Sequence, residues 1–151
     1  MKQKFYLYLV IPFFVLTRPI DAQTTPESDV RDLLLTVAAS FQSGDLQPLD
    51  DLFAPGRGVH IIEGAGVNHG WAEYRDDHLR PELEVFENLN YRYFAIEPQV
   101  RGNVAFAAFR YELSAAMEGR ELDIKGRGTA VLERLDGQWK IVHLHTSGRS
   151  R

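Results

Sequence analysis

Five side chains in this 151-residue chain have the types and spacing to share one pocket: Glu63, Tyr74, His78, Tyr93 and Arg110. Glu63 closes a short apolar segment, Tyr74 and His78 stand four residues apart on a helical pattern, and Arg110 turns inward if its strand neighbours Phe106 and Ala108 do. Among apolar neighbours such as Phe106, Ala108, Leu132 and Leu144, desolvation raises a carboxyl pKa and lowers an imidazole pKa, so both approach neutrality. Glu63 and His78 are therefore the candidate acid and base. The plainer alternative is that Glu63 and Arg110 neutralise each other as a partly buried ion pair.

His143 and His145 are a second pair, at i and i+2 on one strand, about 7 Å apart by strand rise. Two metal ligands can share that spacing, but a third is missing unless the fold brings His60 or His78 near, so no metal site is assigned and no cofactor is implied. The chain has no cysteine, which removes thiolate nucleophiles, disulfides and cysteine-based zinc sites. No Gly-x-Ser-x-Gly elbow occurs, and Gly64-Ala65-Gly66 lacks the spacing and the Lys-Ser/Thr partner of a phosphate loop, so with Val67 and Asn68 it reads as a turn into the third helix. Arg75, Asp76, Asp77 and Arg80 read as a solvated helix face with local ion pairs.

These residues need a scaffold, and the hydrophobic periodicity supplies one. Val30, Leu33, Leu34, Val37, Ala38 and Phe41 recur at helical spacing after a cap at Ser28 or Asp29 and stop at Gly44. A shorter helix is expected over Asp45 to Phe53, a brief strand over Val59 to Glu63, and a third helix from about Gly70 to Phe86, kinked near Leu79 to Pro81. The period then changes to two, predicting long strands over 90–101, 103–117, 120–135 and 138–147 with tight turns between them. Such short connections require an antiparallel meander. The fold class is therefore α+β, three N-terminal helices packed on a curved antiparallel meander sheet.

The sheet carries apolar residues on both faces, so something other than water is expected to cover the second one. In the last strand, Trp139, Ile141, His143 and His145 share a face by parity. They are assigned to a homodimer interface in which sheet packs on sheet, where histidine charge near pH 6 could tune association.

Composition narrows the partners and the compartment. Met1 to Gln23 has the pattern of an export signal: Lys2 and Lys4, the 12-residue apolar run Phe5 to Leu16, and a small-residue site ending at Ala22. That run falls short of the roughly 20 residues of a spanning helix, so no stable membrane insertion is expected after cleavage. The expected organisation is a signal over 1–22, a tether over 23–28 and one domain over 29–149, exported to a periplasmic or extracellular location. Losing residues 1–22 moves the net charge from −4 to −6. With the remaining Arg and Lys scattered among carboxylates, nucleic acid is disfavoured as a partner.

The ending Trp139-Lys140-Ile141-Val142-His143-Leu144-His145-Thr146-Ser147-Gly148 resembles members of the nuclear transport factor 2-like superfamily. Within it, the pattern is similar to SnoaL-like proteins and especially to the association (hub) domain of calcium/calmodulin-dependent kinase II, whose members end in Trp-x-x-Val-His-x-His-x-Ser-Gly. The resemblance implies a cone-shaped fold enclosing a pocket, usually dimeric, with functions from ligand binding to isomerases, dehydratases and cyclases. It also implies particular positions. The tyrosine of the superfamily's ketosteroid isomerases falls on Val37, and their aspartate base falls near Ile61, with Glu63 reached only by a shift. The hub pocket's arginine falls on Arg110 and its helix-three histidine near Tyr74, while two further arginines fall on Ala130 and Thr146. The expectation is an exported dimer that binds a small, partly apolar molecule between sheet and helices through Glu63, Tyr74, His78, Tyr93 and Arg110. An isomerase, dehydratase or cyclase using Glu63 and His78 is the second reading, and an assembly module without ligand the third.

Overall fold

A computed structural model describes residues 24–150, so the signal and the start of the tether lie outside the described residues. The first helix, α1 (Pro26–Ser43), begins earlier than the apolar stripe suggests. Thr25 caps it by accepting from the Ser28 backbone N–H, and Pro26 follows in the first turn, where its missing donor costs nothing. Residues 26–28, expected as tether, are therefore helix. The expected stripe is buried throughout, from Val30 to Phe41. Gly44 ends the helix at φ 74°, a left-handed conformation that glycine takes without a Cβ clash.

The expected second helix is a single 3₁₀ turn, Gln47–Asp51. Strand β1 (His60–Glu63) follows, and then β2 (Gly66–His69), which the sequence had suggested was turn. Gly64 at φ 57° makes the tight link that pairs the two strands antiparallel. The third helix is broken into α2 (Trp71–Glu73), a π-helical turn over Tyr74–Leu79, and α3 (Arg80–Val85). The wide turn lies directly before Pro81, where proline would clash with the preceding turn of a regular helix.

Strands β3 (Glu87–Arg101), β4 (Val104–Met117), β5 (Arg120–Leu135) and β6 (Gln138–Ser150) form the expected antiparallel meander. The sheet as a whole is mixed, because β1 adds to β6 in parallel and the order is β2-β1-β6-β5-β4-β3. Of its three register irregularities, the one between Glu87 and Asn90 lies at the start of β3 and the other two lie within the sheet. One lies between Phe94 and Glu97 of β3, where Ala95 takes φ 48°. The other sits in β6: Val131 pairs with His143 and Leu132 with Ile141, leaving Val142 as an extra residue.

That extra residue changes which side chains share a face. Trp139 and Ile141 point into the core at 8% and 0% exposure, while Leu144 and Thr146 take the inward positions beyond the bulge. His143 and His145 consequently lie on the outer face, and the four residues assigned to one dimer surface are divided between two sides of the sheet. Their outer-face neighbours include His60, which pairs with His143 and whose ring lies 5.1 Å from that of His69. Val104 and Phe106, both more than 40% exposed, lie on the same face.

Burial lowers the pKa of His143 below its ordinary value of 6.5, and His145 and His60 lower it further. The unfolded chain therefore binds this proton more readily than the folded one, so the stability is complete above about pH 6.5 and falls as pH drops from there through the depressed value. The expected result is a thermal midpoint that declines with acidification across that window, and declines less in His143→Gln.

Candidate functional site

The polar residues of the interior gather where β1, the π-helical turn, α3 and β3 meet. Glu63 is the last residue of β1, so its side chain emerges at the rim of the sheet rather than within it. Tyr74 and His78 open and nearly close the π turn, with rings 5.0 Å apart. The Tyr74 hydroxyl donates to Glu63 Oε2 at 2.9 Å. His78 Nε2 lies 3.6 Å from the same carboxylate oxygen and 3.3 Å from Glu82 Oε1, one helical turn on. Its other ring nitrogen, Nδ1, faces Asn68 Oδ1 at 3.2 Å. With Asn68 Oδ1 as acceptor, Nδ1–H is the donor of this contact, and the ring is held with Nε2 toward the two glutamates.

Tyr93 reaches the same interior from β3, beside Tyr91, and their hydroxyls are 3.4 Å apart. Burial pushes the phenols of Tyr74, Tyr91 and Tyr93 above their ordinary range, with the Glu63 charge adding to each. All three remain neutral donors at any physiological pH. Burial also raises the Glu82 carboxyl, as does the charge of Glu63, with His78 opposing both.

The apolar lining is Phe41, Leu79, Leu83, Phe86, Leu89 and Leu113, around a cavity of about 20 Å³. That space holds a single water molecule. Much of the cone is filled by rings: Tyr93 lies 4.2 Å from Phe109, and Tyr91 packs against Phe41 and Tyr111. Leu83 and Phe86, on and just after α3, line its helical side.

Arg110 does not join this group. The inward row of β4 is Ala105, Ala107, Phe109 and Tyr111, all buried, so Phe106, Ala108 and Arg110 face outward. Small alanines at 105, 107 and 130 let the helical layer close on the sheet, and Phe106 has no place there. Arg110 instead sits opposite Arg127 on the outer face, in a shallow groove shared with Lys125 and Arg149. The alternative Glu63–Arg110 ion pair is excluded by the same geometry. Tyr91, Asn68 and Glu82 were missed. Tyr91 shares Tyr93's parity and Glu82 stands at i+4 from His78, so both were accessible from spacing, whereas Asn68 was hidden by reading β2 as a turn.

The charged run on the third helix forms local pairs as expected. Arg75 bonds Asp76 at 2.8 Å and reaches Asp50 at 2.7 Å, and Asp50 also accepts from the Trp71 indole. These contacts hold the start of the third helix to the 3₁₀ turn and lie away from Glu63.

The family model for the SnoaL-like domain matches residues 30–149, nearly the whole described chain. The chain belongs to this family. Solved structures share the SnoaL-like domain's cone. A nuclear transport factor 2-like superfamily protein from Salmonella enterica serovar Typhimurium superposes with a TM-score of 0.72 at 20% identity, over 83% of this chain and 92% of the other. A provisionally assigned ketosteroid isomerase from Shewanella frigidimarina gives 0.67 at 24% identity, over 77% and 92%. A provisionally assigned calcium/calmodulin-dependent protein kinase II association domain from Xanthomonas campestris gives 0.66 at 20%, over 81% and 86%. No curated protein matches the sequence. At these identities the likeness concerns the fold, and the SnoaL-like domain's chemistry rests on its own residues.

Proposed function

We propose that this domain binds a small, partly apolar molecule at the cleft between α3 and strands β3 and β4, with the polar end of the molecule held by Glu63, Tyr74 and His78. The observation that carries this reading is the convergence of a carboxylate, an imidazole and neutral phenol donors on an apolar-lined opening. Glu63 accepts and the tyrosines donate, so the fitting ligand is a compact ring system bearing a hydroxyl or carbonyl group, which the cavity of about 20 Å³ admits once Leu83 and Phe86 shift outward. Arg110 has no part in it.

The second reading is turnover at the same cleft, for which Glu63 and His78 stand close enough to pass a proton to or from a bound molecule. The Shewanella neighbour favours this class only through its fold. Val37 occupies the position of the isomerase tyrosine, so any oxyanion donor here is Tyr74, Tyr91 or Tyr93.

Export and self-association belong to the same proposal. The Met1–Ala22 pattern supports export, and no helix among the described residues is long and apolar enough to cross a membrane. Exposed Val104 and Phe106 beside His143 and His145 support pairing of two copies through the outer face of the sheet.

A thermal-shift screen with cyclic ketones and phenols tests the binding reading. Compounds that bind raise the unfolding midpoint, and the stabilisation grows with the logarithm of one plus the ratio of ligand concentration to Kd. Leu113→Trp, which plugs the cleft from β4, is expected to abolish the shift, and Glu63→Gln to reduce it while Arg110→Ala leaves it unchanged. An effect on rate larger than that on affinity in Glu63→Gln would favour turnover. No stabilising compound, or a shift that survives Leu113→Trp, would reject the cleft.

A further inference from the structure

We propose that Glu63, His78 and Glu82 bind a divalent cation of the Zn²⁺ class at the mouth of the cleft. Each offers one ligand atom, and the three atoms lie within 4.8 Å of one another. Two of the three separations, 3.3 Å and 3.6 Å from His78 Nε2, already match the edge of about 3.3 Å that a tetrahedron has when its metal–ligand bonds are about 2.0–2.1 Å. Closing the third requires only side-chain rotation of two glutamates that are 35% and 44% exposed.

The imidazole is arranged as a ligand. The Nδ1 contact with Asn68 Oδ1 fixes the ring with Nε2 directed at the two carboxylate oxygens. A metal ion bound between them takes the place of the Nε2–H contact to the carboxylates, with that proton released to solvent, and satisfies all three groups together. Outer partners of this kind characterise metal-binding histidines, and Tyr74 supplies the corresponding hydrogen bond to Glu63. His78 and Glu82 are one turn apart on α3 and its preceding π turn, and Glu63 comes from β1, so the site ties the helix to the sheet. One nitrogen and two carboxylates suit a borderline cation such as Zn²⁺ better than Mg²⁺, which keeps its waters and avoids imidazole. Three protein ligands leave a fourth position. Since Glu63 and Glu82 also line the cavity, that position opens on the proposed ligand cleft.

This inference relies on the binding proposal only for what the fourth position faces. Titration calorimetry of the full chain, stripped with EDTA and dialysed, is expected to show one saturable Zn²⁺ site per chain and no comparable Mg²⁺ binding. His78→Ala and Glu82→Gln should each remove the site. Asn68→Ala, which leaves all three ligands but frees the ring, should lower Zn²⁺ affinity about 10- to 100-fold. Glu82→Gln conserves volume on a partly exposed side chain, so it tests the site even where His78→Ala fails to fold. Absence of saturable Zn²⁺ binding would overturn the inference. So would a site unchanged in both ligand variants, which would place the metal on His60, His69, His143 or His145 of the outer face. Repeating the ketone and phenol thermal shifts in EDTA separates the two proposals: shifts that persist without any Zn²⁺ site leave the cleft standing and remove only the metal.

Discussion

Tyr74→Ala is expected to cost about 3–5 kcal/mol of stability, as for other buried aromatic truncations, and Tyr74→Phe about 1.5 kcal/mol. The difference separates two roles of one residue. Its ring, 4% exposed, packs against Phe41, Trp71 and His78, so removing it opens a void between helix and sheet that neighbouring side chains cannot fill. The hydroxyl alone bonds Glu63, and water can reach that carboxylate, which places the loss at the lower end for a hydrogen bond to a charged group. Urea denaturation read at constant m distinguishes the two variants. Equal losses would mean that the hydroxyl, rather than the packing, holds the third helix in place.

The second large effect is expected at Gly128 and Gly126. Phe109 lies across Gly128 and Tyr111 across Gly126 on the neighbouring strand. A Cβ at Gly128 would stand 2.2 Å from Phe109 Cζ, and one at Gly126 would stand 2.2 Å from Tyr111 Cε1 and 2.5 Å from the Ser147 carbonyl oxygen. The rings fill the cone because these two floor positions carry no side chain. Gly128→Ala forces Phe109 toward Tyr93, only 4.2 Å away between ring centres, and overpacking of this kind costs about 1–3 kcal/mol. Gly137→Ala in the exposed β5–β6 turn meets no atom within 4 Å and serves as the contrast. Its cost comes from the backbone at φ 82° alone. Chemical denaturation of both variants checks the ordering, with Gly128→Ala expected to be the less stable and the reverse order ruling out ring displacement as the dominant cost.

The elements were legible wherever one period ran uninterrupted. The stripe from Val30 to Phe41 gave α1, and alternation gave β3 to β6 with their turns, because each signal extends over a dozen residues or more. The start of α1 was misplaced because the cap, Thr25, stands before a proline and outside the apolar stripe. Strand β2 was hidden by its composition, since Gly66, Val67 and Asn68 suit a turn as well as a short edge strand. The facing of β6 was illegible for a physical reason: one inserted residue, Val142, exchanges the two faces, and Trp139, Val142 and Leu144 are apolar on either side of it. The same ambiguity misled the facing of Arg110. On β4 both rows are apolar, and the larger Phe106 drew the inward assignment that belongs to the small Ala105 and Ala107. Glu63, Tyr74 and His78 were found together because their placement depends on an element end and helical spacing, which survive such errors, and Tyr93 because its strand parity is undisturbed there.

The central claim is that the opening beside Glu63, Tyr74 and His78 is where a molecule binds. An NMR titration of the isotope-labelled protein with a stabilising ketone or phenol tests it most directly. Amide shifts are expected to concentrate at Glu63, Tyr74, His78, Leu113 and the residues of α3, with little change on the outer face of the sheet. Shifts centred on Arg110, Arg127 and Ser147, with the Glu63 end silent, would contradict it.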